Sequence, residues 1–341
     1  MLYFVNDYSE GAHEAIIRKL VATNLEKLPG YGLDRYSDSA KEKIRTACGC
    51  PDASVFFISG GTQTNAIVID ALLASYQGVI AADTGHISGH EAGAIERTGH
   101  KVITLRGENG KLRADRVRAY LEGFERDPNH EHMVFPGMVY ISHPTELGTL
   151  YTLKELTALS EVCRAYHIPL YLDGARLGYA LACPESDVSL RDIAALCDVF
   201  YFGGTKFGTL CGEAVIFPKG DAPAHFMTHI KQMGALLAKG RLLGVQFDAL
   251  FENDLYLSLG WQAIAAARRL RSALAEKGYR FFIDSPTNQL FIVMDNSRLE
   301  AFSREVAYGF WDRPDDTHTV IRLCTSWATT DEDVEQLIAL L

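Results

Sequence analysis

The sequence predicts an α/β fold: a mostly parallel sheet of seven strands with helices on both faces, followed by a smaller α/β unit. Between residues 54 and 217, short β-branched apolar runs alternate with segments whose apolar residues recur three and four positions apart. This alternation is typical of crossover units, whose helices cover a parallel sheet. After Phe217 the order changes to long helical stretches and then to further strand-like runs.

The elements follow from these patterns in chain order. Strands are predicted over residues 54–59, 78–83, 101–105, 138–142, 169–174, 198–204 and 212–217. Helices are predicted over 62–76, 152–167, 228–251 and 256–278, and a last helix from about residue 331; strand-like runs cover 279–284, 288–294 and 318–327. We expect a segment 1–20 that packs with the small domain, a large domain over 21–240 and a small carboxyl-terminal domain over 241–341.

Composition excludes several classes of protein. The net charge is -10 and no run of basic residues is present, so nucleic acid is not an expected partner. The first residues lack a basic segment followed by an apolar one, and no apolar stretch is long enough for a membrane span. Most of the seven cysteines lie in apolar runs, as expected of reduced thiols in the cytoplasm, and Cys48 and Cys50 lack the further ligands of a metal site.

The predicted sheet brings several polar segments to one place. In open parallel sheets, ligands bind at the carboxyl ends of the strands, where loops lead into helices. The segments 59–65, 83–86, 142–148, 173–176 and 203–206 all follow predicted strands. We therefore expect them to surround one crevice.

Three of these segments carry candidate chemistry, each with an ordinary structural alternative. Lys206 lies among apolar residues in "VFYFGGTKFGTLCGEAVIF"; it either tips a surface hairpin or is a desolvated amine that forms a Schiff base. The run "SGGTQTN" is either a tight turn or an anion site at a helix start. Asp173 either caps a helix or faces the crevice. An aspartate followed 33 positions later by a lysine suits a pyridoxal phosphate enzyme, in which the aspartate keeps the ring nitrogen protonated and the lysine binds the aldehyde.

At this point the sequence resembles a known family. The runs "GTQTN", "GHISGHEAGAIE", "LDGARL", "GGTK" and "VIRLCTSWATTDEDV" are similar to motifs of the threonine aldolase/β-eliminating lyase family of pyridoxal phosphate enzymes, which has the aspartate aminotransferase fold. They occur in the family's order and cover nearly the whole chain. The resemblance implies pyridoxal 5'-phosphate as cofactor and an amino acid as substrate.

The resemblance also implies roles for individual residues. The cofactor-binding residues would be Gly60, Gly61, Thr62, His86, Asp173, Arg176, Lys206 and Lys231. The catalytic residues would be Lys206, His86 and Glu146, and the substrate would contact Asn6, Tyr36, His143, Arg176 and Arg322. Among these, Gly61 and Thr62 would hold the phosphate, His86 would stack on the pyridine ring, and Arg322 would bind the substrate carboxylate as a bidentate fork.

Two departures from the family pattern bear on substrate and assembly. Where many relatives carry "ENTHN", this chain has "SHPTELG", so Glu146 stands in the place of the substrate-side histidine and His143 lies three residues earlier. A glutamate or a histidine can each accept the β-hydroxyl proton, so the substrate preference and the identity of the base stay open. Where many relatives carry a "GGGMRQ"-like run that reaches a neighbouring subunit, Lys231 keeps a basic residue, and Lys239 or Arg241 could substitute for the family's later arginine.

The function implied by the resemblance is retro-aldol cleavage of β-hydroxy-α-amino acids, L-threonine or L-allo-threonine, to glycine and an aldehyde. The alternatives are β-elimination or racemisation, which begin from the same bound substrate, and, more distantly, a protein of this fold that binds without turnover. The partners expected are a small amino acid and further copies of the chain, in a homodimer or homotetramer with sites at the subunit interface. No membrane contact and no metal are expected.

Overall fold

The computed structural model describes residues 1–341, and its β-strands form a seven-stranded and a five-stranded sheet. The strands are β1 (Leu2–Phe4), β2 (Ser54–Ile58), β3 (Gln77–Ala82), β4 (Val102–Leu105), β5 (Phe135–Ser142), β6 (Leu170–Asp173), β7 (Val199–Gly203), β8 (Glu213–Phe217), β9 (Arg280–Phe281), β10 (Gln289–Asp295), β11 (Val306–Asp312) and β12 (His318–Cys324). All seven strands predicted between residues 54 and 217 are present and form one sheet, which confirms the predicted fold class.

The large sheet has the order β2-β8-β7-β6-β5-β3-β4. Its strands run parallel except β8, which pairs antiparallel with both β2 and β7. The carboxyl ends of the parallel strands therefore meet at one edge, where Ser142 of β5 lies opposite Asp173 of β6. Because β8 runs the other way, its first residue, Glu213, lies at this same edge, opposite Gly203.

Fourteen α-helices and a short 3₁₀ turn at His130–His132 accompany the strands. The helices are α1 (Glu14–Thr23), α2 (Arg35–Cys48), α3 (Gly61–Leu72), α4 (His86–Gly89), α5 (Ala94–Arg97), α6 (Ala114–Arg126), α7 (Leu153–Ala165), α8 (Leu177–Ala182), α9 (Leu190–Leu196), α10 (Phe226–Gln232), α11 (Arg241–Leu250), α12 (Leu255–Glu276), α13 (Asn296–Glu305) and α14 (Asp331–Leu340). The prediction of one helix over residues 228–251 is wrong: the segment forms α10 and α11. Gly234, at φ +71°, follows α10 in a left-handed conformation that no helix can continue.

Both faces of the large sheet are buried, which explains why its strands are almost continuously apolar. One face carries residues such as Ile141, Leu172 and Phe202 in a core cluster of 41 buried residues. The opposite face carries Tyr140 and Tyr201 in a second cluster of 21 buried residues, together with apolar side chains of α3. Alternation along each strand thus places these two tyrosines on the side of the sheet that α3 covers.

The five-stranded sheet has the order β1-β11-β12-β10-β9. The amino-terminal strand β1 pairs in parallel with β11, although more than 300 residues separate them along the chain, and neither strand was predicted from the sequence. β1 has only three residues, and the pairing of β11 with β12 shifts register between Phe310 and Asp312, so neither strand has a clear alternating pattern. None of the helices combines the length and the apolar character that crossing a membrane would require.

Candidate active site

A cavity of about 450 Å³ opens at the edge of the large sheet where the parallel strands end. Four of the five segments expected around a crevice supply several of its lining residues, and the fifth supplies His86. The predicted site residues that line it are Gly60, Gly61, Thr62, His86, Glu146, Asp173, Arg176 and Lys206.

Asp173 ends β6, and its carboxylate accepts four hydrogen bonds. Tyr140 Oη and Asn65 Nδ2 donate to Oδ2 at 2.6 and 3.0 Å. Tyr201 Oη and a backbone N–H two residues further on donate to Oδ1 at 2.6 and 3.0 Å. Burial works to raise the pKa of Asp173, but the nearby imidazole of His86 and the two tyrosine hydroxyls outweigh it and hold the pKa below its usual value. Asp173 is therefore a fixed negative charge on the floor of the cavity.

His86 begins α4 and is held by two carboxylates. Its Nδ1 lies 2.8 Å from Glu91 Oε1, and its backbone N–H donates to Glu146 Oε1 at 2.9 Å. Asn65 Nδ2 also donates to Glu91 Oε1, at 2.6 Å, whereas Glu91 Oε2 is buried without a partner. Burial opposes a charge on the ring, but Glu91 and the nearby Asp173 raise the pKa of His86. The ring thus keeps a proton on Nδ1, and its orientation is fixed.

Lys206 projects into the cavity from the connection between β7 and β8. Its Nζ lies 5.9 Å from the centre of the Tyr8 ring, and its backbone carbonyl accepts a hydrogen bond from Tyr179 Oη at 2.8 Å. Loss of solvent, followed by repulsion from Arg176, lowers the pKa of Lys206. A lowered pKa makes the neutral, nucleophilic amine more accessible, so the interpretation of Lys206 as an exposed hairpin tip is not supported by its surroundings.

Arg176 reaches the cavity with two of its five N–H donors already bonded to one carboxylate. Its Nε and Nη2 donate to the two oxygens of Asp7, at 2.7 and 2.9 Å. Asp7 is fully buried and also accepts from Asn288 Nδ2 at 2.9 Å. Burial works to raise the pKa of Asp7, but Arg176 and Lys206 hold it below its usual value. Both hydrogens of Nη1 and one of Nη2 are left for a ligand.

Glu146 lies in the loop after β5 and lines the cavity. Its Oε1 accepts from Ser142 Oγ at 2.5 Å and from the backbone N–H of His86 at 2.9 Å. Burial raises the pKa of Glu146 against the effect of the Ser142 hydrogen bond, and the negative charge of Asp173 adds to the rise. A carboxylate of raised pKa is a stronger base than an exposed glutamate.

Glu213, the first residue of β8, is a cavity residue that was not singled out in the sequence. Its Oε2 accepts from Gly204 N at 3.0 Å and its Oε1 from Thr205 Oγ1 at 2.9 Å, so the carboxyl group anchors the connection that carries Lys206. Burial raises the pKa of Glu213 to about 8. The signal in the sequence is an acidic residue at the start of the otherwise apolar run "GEAVIF".

The start of α3 forms one wall of the cavity. Its N-cap is Gly60, which offers no side chain to the first backbone N–H groups of the helix. These N–H groups have no partners inside the helix, and the helix dipole places partial positive charge there. A Cβ on Gly60 would meet no atom within 4 Å, so this wall is open toward the cavity. The predicted anion site is thus available to a phosphate group.

Five predicted residues lie outside the cavity lining: Asn6, Tyr36, His143, Lys231 and Arg322. Tyr36 Oη donates to Glu26 at 3.0 Å, and Lys231 Nζ lies 4.7 Å from the centre of the Tyr31 ring. Asn6 Oδ1 accepts from the backbone N–H of Tyr8 at 2.9 Å.

The other two of these residues are held by groups of the same chain. Arg322 donates from Nη1 to Gln289 Oε1 and from Nη2 to the carbonyl oxygen of Val5, both at 3.1 Å, whereas its Nε is buried without a partner. His143 is buried, and loss of solvent lowers its pKa to about 4.

Comparison with known proteins gives consistent results. The family model described as β-eliminating lyase matches residues 7–296. A low-specificity L-threonine aldolase of a Pseudomonas species is 32% identical over 320 residues, which cover 91% of this chain and 88% of that protein. A protein of the same description from Pseudomonas aeruginosa is 31% identical over 313 residues, 90% of this chain and 87% of that protein.

Solved structures agree with the sequence comparison. A structure of threonine aldolase from Leishmania major superposes with a TM-score of 0.96 at 41% identity, and covers 100% of this chain and 98% of that one. An aspartate aminotransferase from Thermus thermophilus superposes with a TM-score of 0.71 at 15% identity, covering 100% of this chain and 90% of that one, which shows the shared fold.

The raised pKa of Glu213 predicts a pH-dependent effect on stability. Between pH 4.5 and about 8 the folded protein holds a proton on Glu213 that the unfolded chain has released. The free energy of unfolding of the wild type therefore falls as the pH rises through this range. Glu213→Gln mimics the protonated carboxyl at every pH. Relative to the wild type, the variant should gain on the order of a few kcal/mol in free energy of unfolding between pH 5 and pH 9, since one pKa unit corresponds to about 1.4 kcal/mol.

Chemical unfolding at several pH values measures this difference. Glu161→Gln, which changes an exposed glutamate of α7, is the matched control and should follow the wild type throughout. A constant difference between Glu213→Gln and the wild type across the pH range would show that Glu213 has an ordinary pKa.

Proposed function

The chain belongs to the β-eliminating lyase family, and we propose that it is a pyridoxal phosphate-dependent aldolase that cleaves threonine-like β-hydroxy-α-amino acids into glycine and an aldehyde. The relatives named as threonine aldolases support this substrate class. The observation that carries the proposal is the cavity itself, in which the Lys206 amine and the carboxyls of Asp173 and Glu146 converge.

The residues present fit pyridoxal phosphate in size and in charge. A cavity of about 450 Å³ is within the usual range for a site of this kind. The open start of α3, with Gly60, Gly61 and Thr62, would hold the phosphate, and Asp173 would hold the proton of the ring nitrogen. When bound, the cofactor supplies an aldehyde for amine attachment and a protonated ring that withdraws electrons from the substrate Cα.

The other residues of the cavity have separate tasks. Lys206, with its lowered pKa, would bind the cofactor aldehyde and give way to the substrate amine. His86, fixed by Glu91, would lie against the ring as a flat partner. Arg176, oriented by Asp7, would offer its remaining Nη1 to the substrate carboxylate.

Glu146 is the residue we propose as the base for the β-hydroxyl. When that proton is lost, the oxygen can form the C=O bond of the aldehyde as the Cα–Cβ bond breaks. The electron pair of the broken bond stays on Cα. Burial raises the pKa of Glu146 toward the range in which a base works at neutral pH. Its position after β5, at the carboxyl edge of the sheet, would put it on the same side of the cavity as His86.

Arg322 stays a predicted ligand of the substrate carboxylate. In the structure its two terminal nitrogens are bonded to Gln289 and to the Val5 carbonyl, and it does not line the cavity. Binding a carboxylate would require it to leave these partners, so Arg176 is the nearer candidate for that task.

We further propose that the enzyme is a homodimer or homotetramer in which Tyr36 and Lys231 complete the site of a neighbouring subunit. In one chain neither residue lines the cavity. Leu25 and Leu33, which precede Tyr36 in the sequence, expose 92% and 65% of their surface, as expected where another subunit packs. Light scattering should give a molar mass of two or four chains, and a fully active monomer would contradict this assembly.

Lys206→Ala should abolish both cofactor attachment and glycine formation, because Lys206 is the only lysine that lines the cavity. The fold should persist, because the side chain makes no ion pair and contributes little to the core. The measurements are borohydride-fixed cofactor, glycine release from L-threonine and circular dichroism. Lys219→Ala, which removes an exposed lysine paired with Asp198, is the control and should behave as the wild type. Glycine release near the wild-type rate from Lys206→Ala would refute the assignment.

Glu146→Gln should separate two reactions of the same site. The variant keeps the shape but loses the base, so the rate of threonine cleavage should fall on the order of a hundredfold. Exchange of the α-proton of glycine with solvent needs no β-hydroxyl and should be largely spared. Glu161→Gln again serves as the control for an exposed glutamate. Equal losses in both reactions would make Glu146 a structural residue, and keto acid from serine in place of glycine from threonine would favour β-elimination.

A further inference from the structure

A chain of hydrogen bonds joins the proposed base to the carboxylate on the cavity floor. Ser142 Oγ lies 2.5 Å from Glu146 Oε1 and 3.3 Å from Tyr140 Oη. Tyr140 Oη in turn lies 2.6 Å from Asp173 Oδ2. Tyr140 and Ser142 are two residues apart on β5, so both side chains point to the same face of the sheet. Two acids of different function are thereby connected through two hydroxyls.

Ser142 can donate to only one of its two neighbours, Glu146 or Tyr140, at a time, because a hydroxyl has a single hydrogen. While Glu146 is ionised, the short contact with Oε1 takes that hydrogen. Once Glu146 is protonated, its own O–H donates to Ser142 Oγ, and the hydrogen of Ser142 is free to turn to Tyr140. The change consists of rotations about C–O bonds, so no covalent bond to hydrogen is made or broken at Ser142.

We propose that the carboxyls of Glu146 and Asp173 communicate through these two hydroxyls, with the hydrogen of Ser142 as the element that switches. Tyr140 keeps its own proton and always donates to Asp173, because burial and the charge of Asp173 raise its pKa well above the usual value. A hydroxyl that receives a hydrogen bond is a stronger donor to its next partner, since chains of hydrogen bonds polarise one another. Protonation of Glu146 therefore makes Asp173 a weaker base.

This communication would make the basicity of Asp173 follow the protonation state of Glu146 during the reaction. In that respect it rests on the proposed function. With Glu146 ionised, Asp173 is at its most basic and would hold the proton on the ring nitrogen of a bound cofactor most firmly. After Glu146 has taken the β-hydroxyl proton, Tyr140 donates more strongly and the hold of Asp173 weakens. When Glu146 releases its proton, Ser142 turns back and the first state is restored.

Other charges surround the two carboxyls and act on them through space. They are His86 and Glu91 from α4 and its following loop, Lys206, Glu213 and Arg176 from the cavity wall, and the hydroxyls of Tyr151, Tyr171 and Tyr201. None of them depends on the Ser142 hydroxyl for its position. Removing that hydroxyl therefore leaves the through-space effects in place and interrupts the chain alone.

The test uses the absorbance of bound pyridoxal phosphate as a reporter of Asp173. In the wild-type holoenzyme a pH titration should show a step as Glu146 ionises, and Glu146→Gln should remove that step. Ser142→Ala and Tyr140→Phe should each retain the bound cofactor but lose most of the amplitude of the step. The controls are Ser160→Ala and Tyr151→Phe. Each removes a buried hydroxyl that bonds to a backbone group and takes no part in the hydrogen-bond chain from Glu146 to Asp173, so each should keep the full step.

A step of full amplitude in both Ser142→Ala and Tyr140→Phe would overturn the proposal, because the coupling would then act through space. A wild-type titration without the Glu146 step would overturn it as well. A second measurement needs no cofactor: the ¹³C carboxyl shift of Asp173 should follow the titration of Glu146 in the wild type and not in Ser142→Ala. If the protein binds no pyridoxal phosphate, the proposed function fails. The ¹³C carboxyl shifts then decide alone whether Glu146 and Asp173 are coupled through Ser142 and Tyr140.

Discussion

The site depends on the buried carboxylate of Asp173. Removing such a charge from water costs several kcal/mol, and here four hydrogen-bond donors offset the loss. Two of them, Tyr140 and Tyr201, come from the strands on either side of β6, and Asn65 comes from the helix that covers this face. A one-residue slip of either neighbouring strand would turn its tyrosine to the other face and leave the charge unpaired. The charge therefore fixes the relative positions of β5, β6, β7 and α3, which together form the cavity floor.

The distribution of charge around the cavity follows from the same constraint. The acids that line it are Glu91, Glu146, Asp173 and Glu213, and the basic groups are His86, His90, Arg176 and Lys206, of which His90 has a pKa lowered by burial. Asp7 neutralises Arg176, so the acids outweigh the free cations. This imbalance contributes to the raised pKa of Glu146 and of Glu213, because each lies near the fixed charge of Asp173. The same negative charge would favour a protonated ring nitrogen on the proposed cofactor, and the start of α3, where the phosphate would bind, lies apart from these acids.

The sequence predicts the large sheet well because its strands are buried on both faces and read as uninterrupted apolar runs. It predicts the meeting of His86, Asp173 and Lys206 because parallel strands end at one edge. The same apolar character hides Tyr140 and Tyr201: within such runs a tyrosine cannot be told from a core aromatic residue until its hydroxyl partner is known. Strands β1 and β11 are missed for a different reason, since their pairing joins the two ends of the chain and leaves no local pattern.

The amino-terminal segment connects the two sheets through a pair of arginines. β1 extends the small sheet, and directly after it the carbonyl of Val5 accepts a hydrogen bond from Arg322 of β12. Two residues later, Asp7 binds Arg176, which lines the cavity beside the large sheet, with both carboxylate oxygens. At most about 7 Å of backbone separates Val5 from Asp7, so the two contacts lie close together along the chain. Arg322 of the small sheet and Arg176, the one arginine that lines the cavity, are thus held by positions two residues apart in the same segment, so the segment that completes the small sheet also orients a cation of the cavity.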